Sequence, residues 1–125
     1  MERHRELLIT RTGWDSQSEY EWSEHVGEVG RARERGLPID RIIRGPDAPG
    51  WDPFEATLLR LADELYRDCI VSDRTWAALS PRYDDRKKID ATITSANYRF
   101  VSMALNILGV QINPGQERLP PVPSR

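Results

Sequence analysis

A glutamate and a histidine four residues apart, Glu21 and His25, are the pair in this sequence best suited to do chemistry. Residues four apart on an α-helix share one face, so the carboxylate and the imidazole can meet at one point. A carboxylate raises the pKa of a neighbouring imidazole and orients its ring, as in a general acid/base pair. The alternative is an ordinary ion pair on a helix surface, worth only about 0.3–0.5 kcal/mol. Spacing alone favours that alternative.

Both residues lie in a predicted helix that runs from Ser16 to about Arg35. Ser16 and Glu19 fit a capping box, in which the two side chains satisfy free backbone amides at the start of a helix. Gly27 and Gly30 fall inside this helix, and each destabilises it by up to about 1 kcal/mol relative to alanine. Close packing by another helix would account for the glycines, and local weakness of the helix is the alternative.

The rest of the chain also has helical spacing of its apolar residues, with no alternating strand pattern, which predicts an all-α fold. The other predicted helices are Arg5 to Thr12, Pro38 to Arg44, a helix opened by Asp52 and Pro53, a short helix capped by Ser72 or Asp73, and a last helix from Asp84 to Gly109. The last helix carries an apolar stripe of Ile89, Ile93, Ala96, Phe100, Ala104, Ile107 and Leu108. Residues 1–112 form the predicted helical domain, and the proline-rich residues 113–125 form an extended or disordered tail.

Composition limits the classes of function. The 125 residues fit one domain, with 38% hydrophobic and 30% charged residues and a net charge of -2. Charges of both signs are spread along the chain, so neither nucleic acid nor a membrane is an expected partner. No stretch has the length of an apolar membrane span or the apolar core of a signal peptide, so the expected location is the cytoplasm.

The few cysteines and histidines argue against metal and disulfide chemistry. Cys69 is the single cysteine, which excludes an intrachain disulfide and a cysteine metal cluster. Glu6, Glu21 and His25 give three possible ligands, but no second histidine supports them. We therefore expect no metal and no cofactor.

Five segments along the chain form a specific combination. They are Arg5–Ile9, Glu19–Trp22 with His25, Gly45–Trp51, Ala62–Leu65 and Asn106–Val110, and they cover nearly all of residues 4–112. In this combination the chain resembles the carboxymuconolactone decarboxylase and alkylhydroperoxidase D-like family. The resemblance implies an all-α helical bundle, completed by oligomerisation, and hence a homo-oligomer. The four tryptophans, Trp14, Trp22, Trp51 and Trp76, point the same way, because such residues are often used at subunit interfaces.

The resemblance argues against the thiol chemistry of the redox branch. That branch uses a glutamate, a Cys-x-x-Cys pair and a histidine, and these positions fall on Glu6, Ser18, Glu21 and His25 here. One thiol must attack the peroxide or disulfide and a second must resolve the product, and neither serine nor glutamate does this. Peroxidase activity of the alkylhydroperoxidase type is therefore the least favoured function.

The decarboxylase branch resembles this chain more closely, since it has the glutamate and the histidine without the cysteine pair. The resemblance implies a cofactor-independent enzyme that transfers a proton on a small acidic organic substrate. His25 is then the catalytic acid/base, Glu21 orients it, and Glu6 is a relay carboxylate. Helix packing rather than spacing must bring Glu6 close, and a solvated residue on the first helix is its alternative.

Four further residues are candidate substrate contacts: Ser18, Tyr20, Trp22 and Tyr98. Ser18 is also suited to cap a helix, and Trp22 and Tyr98 are equally suited to core or interface packing. If none of these residues meets a substrate, the chain is a non-catalytic ligand-binding or oligomeric scaffold protein of the same fold. A small-molecule substrate and a second copy of the chain are thus the expected partners.

Overall fold

The computed structural model describes residues 2–122 and contains six α-helices, and no β-strand, within that range. The helices are α1 (Glu2–Asp15), α2 (Glu19–Val26), α3 (Ile39–Arg44), α4 (Pro53–Asp68), α5 (Asp73–Ala78) and α6 (Asp85–Leu108). The prediction of an all-α fold is confirmed. None of these helices combines the length and the apolar character that crossing a membrane would require.

Helix α1 lies at the centre and packs against α2, α3, α4 and α6. Its consecutive residues Leu7, Leu8 and Ile9 are all buried, because neighbouring helices cover α1 on more than one side. Leu7 belongs to one apolar cluster, with Trp22 of α2, whereas Leu8 belongs to a second cluster, with Leu58 of α4. The central helix thus connects two halves of the core.

The boundaries of the first two helices differ from the prediction. Helix α1 runs through Gly13 to Asp15, and α2 ends at Val26, where a run to Arg35 was expected. Residues 27–30 are turns, and two glycines in these four positions weaken a continued helix. The expected capping box is wrong: Ser18 is the N-cap residue of α2, and the Ser16 hydroxyl has no hydrogen-bond partner.

The starts of α4 and α6 follow the sequence signals closely. The Asp52 carboxylate accepts hydrogen bonds from the backbone amides of Phe54 and Glu55, and the Asp84 side chain accepts one from Lys87. Each carboxylate satisfies amides that a helix start leaves free. Gly109 ends α6 in the left-handed conformation, with φ 67°, which glycine adopts at no steric cost.

The predicted apolar stripe of α6 lies on the outer surface of the structure. Ile93, Phe100 and Ile107 are 62%, 64% and 83% exposed. The opposite face carries small residues, including Ser95 and Ser102, and packs against α1. Small side chains let the two helices approach closely, and the Ser95 hydroxyl hydrogen-bonds Thr12 of α1 at 3.0 Å.

The described part of the tail, to residue 122, has no helix and runs back along α2. The Leu119 amide donates to Glu19 Oε2 at 3.0 Å, and the Gln116 side chain donates to Glu24 at 2.7 Å. Glu117 pairs with Arg33 in the loop after α2. Residues 123–125 of the predicted tail lie outside the described residues.

A single arginine ties three helices together. The Arg11 guanidinium donates to Asp63 of α4 at 2.7 Å and to the backbone carbonyls of Ile42 and Ile43 in α3 at 2.6 and 3.0 Å. Asp15 lies 3.3 Å from the same group. Burial and a hydrogen bond to Asp63 raise the pKa of Asp15 to about 9, although Arg11 opposes the shift.

Replacing Arg11 with alanine is expected to lower the free energy of unfolding by about 3 kcal/mol, because it leaves Asp63 and two carbonyls without their donor. Arg31→Ala is the control, since the Arg31–Glu34 pair is exposed and such pairs contribute less than about 1 kcal/mol. Urea denaturation measures both values. Equal losses in the two variants would contradict the role given to Arg11.

Candidate active site

The helices bring together the three residues that the sequence singled out for catalysis. Glu6 comes from α1, and Glu21 and His25 come from successive turns of α2. The His25 Nδ1 atom lies 3.0 Å from Glu6 Oε2, and its Nε2 atom lies 2.8 Å from Glu21 Oε1. All three residues are buried, with at most 7% of each exposed. We call Glu6, Glu21 and His25 the acid/base cluster.

The two carboxylates contact the imidazole in different ways. His25 Nδ1 donates an aligned hydrogen bond to Glu6 Oε2. Glu21 Oε1 lies 2.8 Å from Nε2 in a less well-aligned contact. Each ring nitrogen therefore faces its own carboxylate, and the ring is held from both ends.

The electrostatics of the cluster favour a protonated ring. Burial lowers the pKa of His25, but Glu21 and Glu6 raise it by more, and the result is a pKa of about 9. A charged imidazole balanced by two carboxylates loses less on burial than an isolated charge would. At neutral pH His25 therefore holds a proton, as a general acid must.

Tyr98 of α6 covers the imidazole. Its ring meets the His25 ring edge-on, with centroids 5.4 Å apart and an angle of 82° between the planes. The Arg5 guanidinium donates a hydrogen bond to the Tyr98 hydroxyl at 3.1 Å. Tyr98, a candidate substrate contact from sequence, thus lies against the cluster, and Arg5 positions it.

Gly30 also belongs to the site. The sequence pattern identified it only as a glycine inside a predicted helix. A Cβ atom at this position would overlap the Glu6 carboxylate and come within 2.8 Å of the His25 Cα atom. The close packing expected at this glycine is therefore present, but its partner is the acid/base cluster. Only glycine lets the turn after α2 approach Glu6 this closely.

Among the buried hydroxyl groups without a partner in the structure are those of Thr10, Ser18 and Ser102. Each lies about one helical turn from a residue already described, Thr10 from Glu6, Ser18 from Glu21 and Ser102 from Tyr98. A buried polar group without a partner costs about 1–3 kcal/mol, so such groups often mark a place for water or a ligand. No sequence pattern pointed to Thr10 or Ser102, since hydroxyl residues on a helix are common.

The remaining candidates lie apart from the cluster or inside the core. Trp22 is fully buried in the apolar cluster with Leu7, which gives it a packing role. Tyr20 is half-buried at the start of α2, and Ser18 caps that helix by position without a side-chain hydrogen bond. Cys69 is the exposed C-cap residue of α4, and its Sγ atom lies 3.2 Å from an Arg99 nitrogen.

A cavity lies against the N-terminal half of α1, and none of the three cluster residues lines it. It has a volume of about 690 Å³ between the N-terminal halves of α1 and α6, and its lining includes His4, Arg5, Tyr83, Lys87 and Thr94. Arg5 belongs both to this wall and to the contact with Tyr98. Tyr98 follows Thr94 by one helical turn on α6, so the residue that meets His25 lies on the same side of the helix as part of the cavity lining.

The cluster does not offer a common point for a metal ion, because its carboxylates lie at opposite ends of the imidazole. Over residues 2–122, no group of three histidine, cysteine, aspartate or glutamate side chains is arranged to hold one.

Comparisons of the chain with protein-family models, with curated proteins and with solved structures found no match. The family resemblance therefore stays a prediction, and the function is argued from the site itself.

The protonated state of His25 predicts how stability depends on pH. Because the folded pKa of about 9 lies above the ordinary value of 6.5, this stabilisation is complete below about pH 6.5 and is lost as the pH rises through 9. His25 should lower the free energy of unfolding by about 3 kcal/mol over that range. Asp15, whose folded pKa is also about 9, adds a fall of similar size that both proteins share. His25→Gln should therefore lack only the His25 share, about half of the fall in the unaltered chain. Parallel pH profiles for the two proteins would contradict the cluster's electrostatics.

Gly30→Ala should push the Glu6 carboxylate away from the imidazole and so lower the pKa of His25. The expected loss of stability is about 1–3 kcal/mol, since backbone as well as side-chain atoms must move. Gly36→Ala is the matched control, because Gly36 has φ 79° but open space around it. The control should lose about 1 kcal/mol from backbone strain and leave the imidazole titration, followed by NMR, unchanged. Equal effects of the two substitutions on His25 would contradict this account.

Proposed function

We propose that this chain is a cofactor-independent enzyme of the carboxymuconolactone decarboxylase-like kind, which transfers a proton on a small acidic organic molecule. The observation that carries the proposal is the approach of Glu6 and Glu21 to the two nitrogens of the buried His25. Two carboxylates around a ring that stays protonated at neutral pH are suited to hold and deliver one proton.

The reaction needs little from the protein beyond that proton. When the carbon–carboxylate bond breaks, carbon dioxide leaves and the electron pair stays on the substrate, where an unsaturated lactone can delocalise it. A proton must then reach that carbon. His25 supplies it, and the aligned hydrogen bond from Nδ1 makes Glu6 the relay, whereas Glu21 holds the ring at Nε2.

The cavity between α1 and α6 suits an acidic substrate. Its wall carries three basic residues, Arg5, Arg82 and Lys87, against two acidic ones, Glu2 and Asp90, and the Thr94 hydroxyl can donate a hydrogen bond. A change of the Tyr98 rotamer would join this cavity to His25.

The closed surroundings of the cluster favour a second candidate, a non-catalytic scaffold or ligand-binding protein. Tyr98 covers His25, Gly30 packs on Glu6, and the cavities of about 690 and 280 Å³ are lined by other residues. On this alternative the cluster only connects α1 to α2.

The test is release of carbon dioxide from a panel of small unsaturated lactone carboxylic acids. For an acid that the chain converts, His25→Gln should lower kcat by about 100-fold or more, the usual contribution of a general acid. Glu21→Gln should shift the alkaline limb of the pH profile below pH 9, because Glu21 raises the pKa of His25. The control is Glu34→Gln, which alters an exposed ion pair and should leave kcat unchanged.

Circular dichroism must show that each variant keeps its helices. Turnover that is unaffected by His25→Gln would contradict the acid/base assignment. If no acid is converted, but the panel binds with NMR shifts at Arg5 and Lys87, the scaffold candidate is favoured.

A further inference from the structure

His4 is a buried histidine that the acid/base cluster does not use. It lies near the start of α1 and is only 3% exposed. Glu6 follows it by two residues, which places the two side chains about 200° apart around the helix. His4 accordingly contacts Tyr83 and Phe54, whereas Glu6 contacts His25. The two histidines therefore lie in separate surroundings on either side of α1.

Aromatic residues hold the His4 ring in one orientation. The Phe54 and Tyr83 rings lie 5.3 and 5.8 Å from it, centroid to centroid, and meet each other edge-on at 4.9 Å. The Nδ1 atom shares a hydrogen bond with the Tyr83 hydroxyl at 2.8 Å, and burial raises the pKa of Tyr83, so the phenol keeps its proton. Nε2 has no hydrogen-bond partner within residues 2–122, which leaves this nitrogen available to a ligand.

The His4 ring forms part of the wall of the cavity between the N-terminal halves of α1 and α6, which we call the α1–α6 cavity. Its volume of about 690 Å³ is in the usual range for small-molecule sites. The charged residues of the wall are three basic ones, Arg5, Arg82 and Lys87, and two acidic ones, Glu2 and Asp90. A ligand in this cavity therefore meets an imidazole and an excess of positive charge.

The surroundings of His4 keep its ring uncharged at neutral pH. Burial lowers its pKa from 6.5, Glu55 of α4 opposes this shift, and the chain's amino terminus, Arg82 and Arg3 add to it. Glu55 is itself paired with Arg3 at 2.6 Å, which weakens its effect on the ring. His4 can therefore still accept a proton when a negative charge arrives beside it.

A bound anion would supply that negative charge. An opposite charge close to an imidazole favours its protonated form and raises its pKa. The coupling is reciprocal, so protonation of the ring raises the affinity for the anion by the same factor. The affinity is then highest at low pH, where the ring is charged, and falls as the pH rises through the pKa of His4.

We propose that the α1–α6 cavity is a proton-coupled carboxylate site. A small carboxylate binds among Arg5, Arg82 and Lys87, and His4 takes up one proton from solvent and donates it in a hydrogen bond to a carboxylate oxygen. No covalent bond of the ligand forms or breaks. The site goes beyond the proposed function, because it concerns binding alone and requires neither turnover nor His25.

Calorimetry and NMR with the probe phenylglyoxylate test the site, since this carboxylate stays ionised between about pH 5 and pH 8. Its uncharged amide is the matched control ligand. The unaltered chain should bind the probe at least about 10-fold more weakly at pH 8 than at pH 5. The probe should also raise the pH at which the His4 imidazole titrates, and the amide should do neither.

Three variants separate the proton from the charge. His4→Gln should bind the probe equally at both pH values, whereas Lys87→Ala should bind it more weakly at both and keep the difference. Arg86→Ala is the matched control for Lys87, because Arg86 is an exposed basic neighbour that does not line the cavity. It should change neither property, and circular dichroism checks that each variant keeps its helices.

Four results would overturn the proposal. They are no binding of the probe at millimolar concentration, equal affinity of the unaltered chain at both pH values, a His4 titration that the probe does not change, and a pH difference that persists in His4→Gln. The second and third use the unaltered chain, so the test does not depend on whether His4→Gln folds. None of them bears on the release of carbon dioxide that tests His25.

Discussion

The charged imidazole of His25 is buried, and the carboxylates of Glu6 and Glu21 compensate its charge. Because one carboxylate comes from α1 and the other from α2, the two helices must hold a fixed distance and angle for both contacts to form. Removing either carboxylate leaves a buried charge with less compensation, which costs more than the contact itself contributes. The turn after α2 is subject to the same constraint, since only glycine fits at position 30.

The rest of the architecture depends on which residues α1 and α6 present on each of their faces. Helix α1 buries Leu7 and Leu8 in two apolar clusters, presents Glu6 to the acid/base cluster, and is anchored to α3 and α4 by Arg11. Helix α6 presents small hydroxyl residues inward, where close approach to α1 leaves some hydroxyls without partners. Its larger apolar residues remain exposed on the outside.

The sequence predicted the local features of this structure better than the long-range ones. The N-caps Asp52 and Asp84 and the C-cap Gly109 depend on neighbouring residues only, and they are found where expected. The 3.6-residue period identified the apolar stripe of α6 but not its exposure, because a period does not distinguish a buried face from an exposed one. Glu21 and His25 were found from spacing, and Glu6 only from the family resemblance. Gly30, Arg5 and Tyr98 meet the cluster through packing between distant segments, which no local pattern encodes.

The most direct measurement of the central claim is an NMR titration of the two histidines in one sample. His4 provides an internal reference, since burial lowers its pKa from 6.5, whereas the carboxylates raise that of His25 to about 9. The two imidazoles should titrate on opposite sides of 6.5, and Glu6→Gln should move only His25 downward. A His25 pKa near 6.5 that does not change in Glu6→Gln would contradict the role given to the two carboxylates.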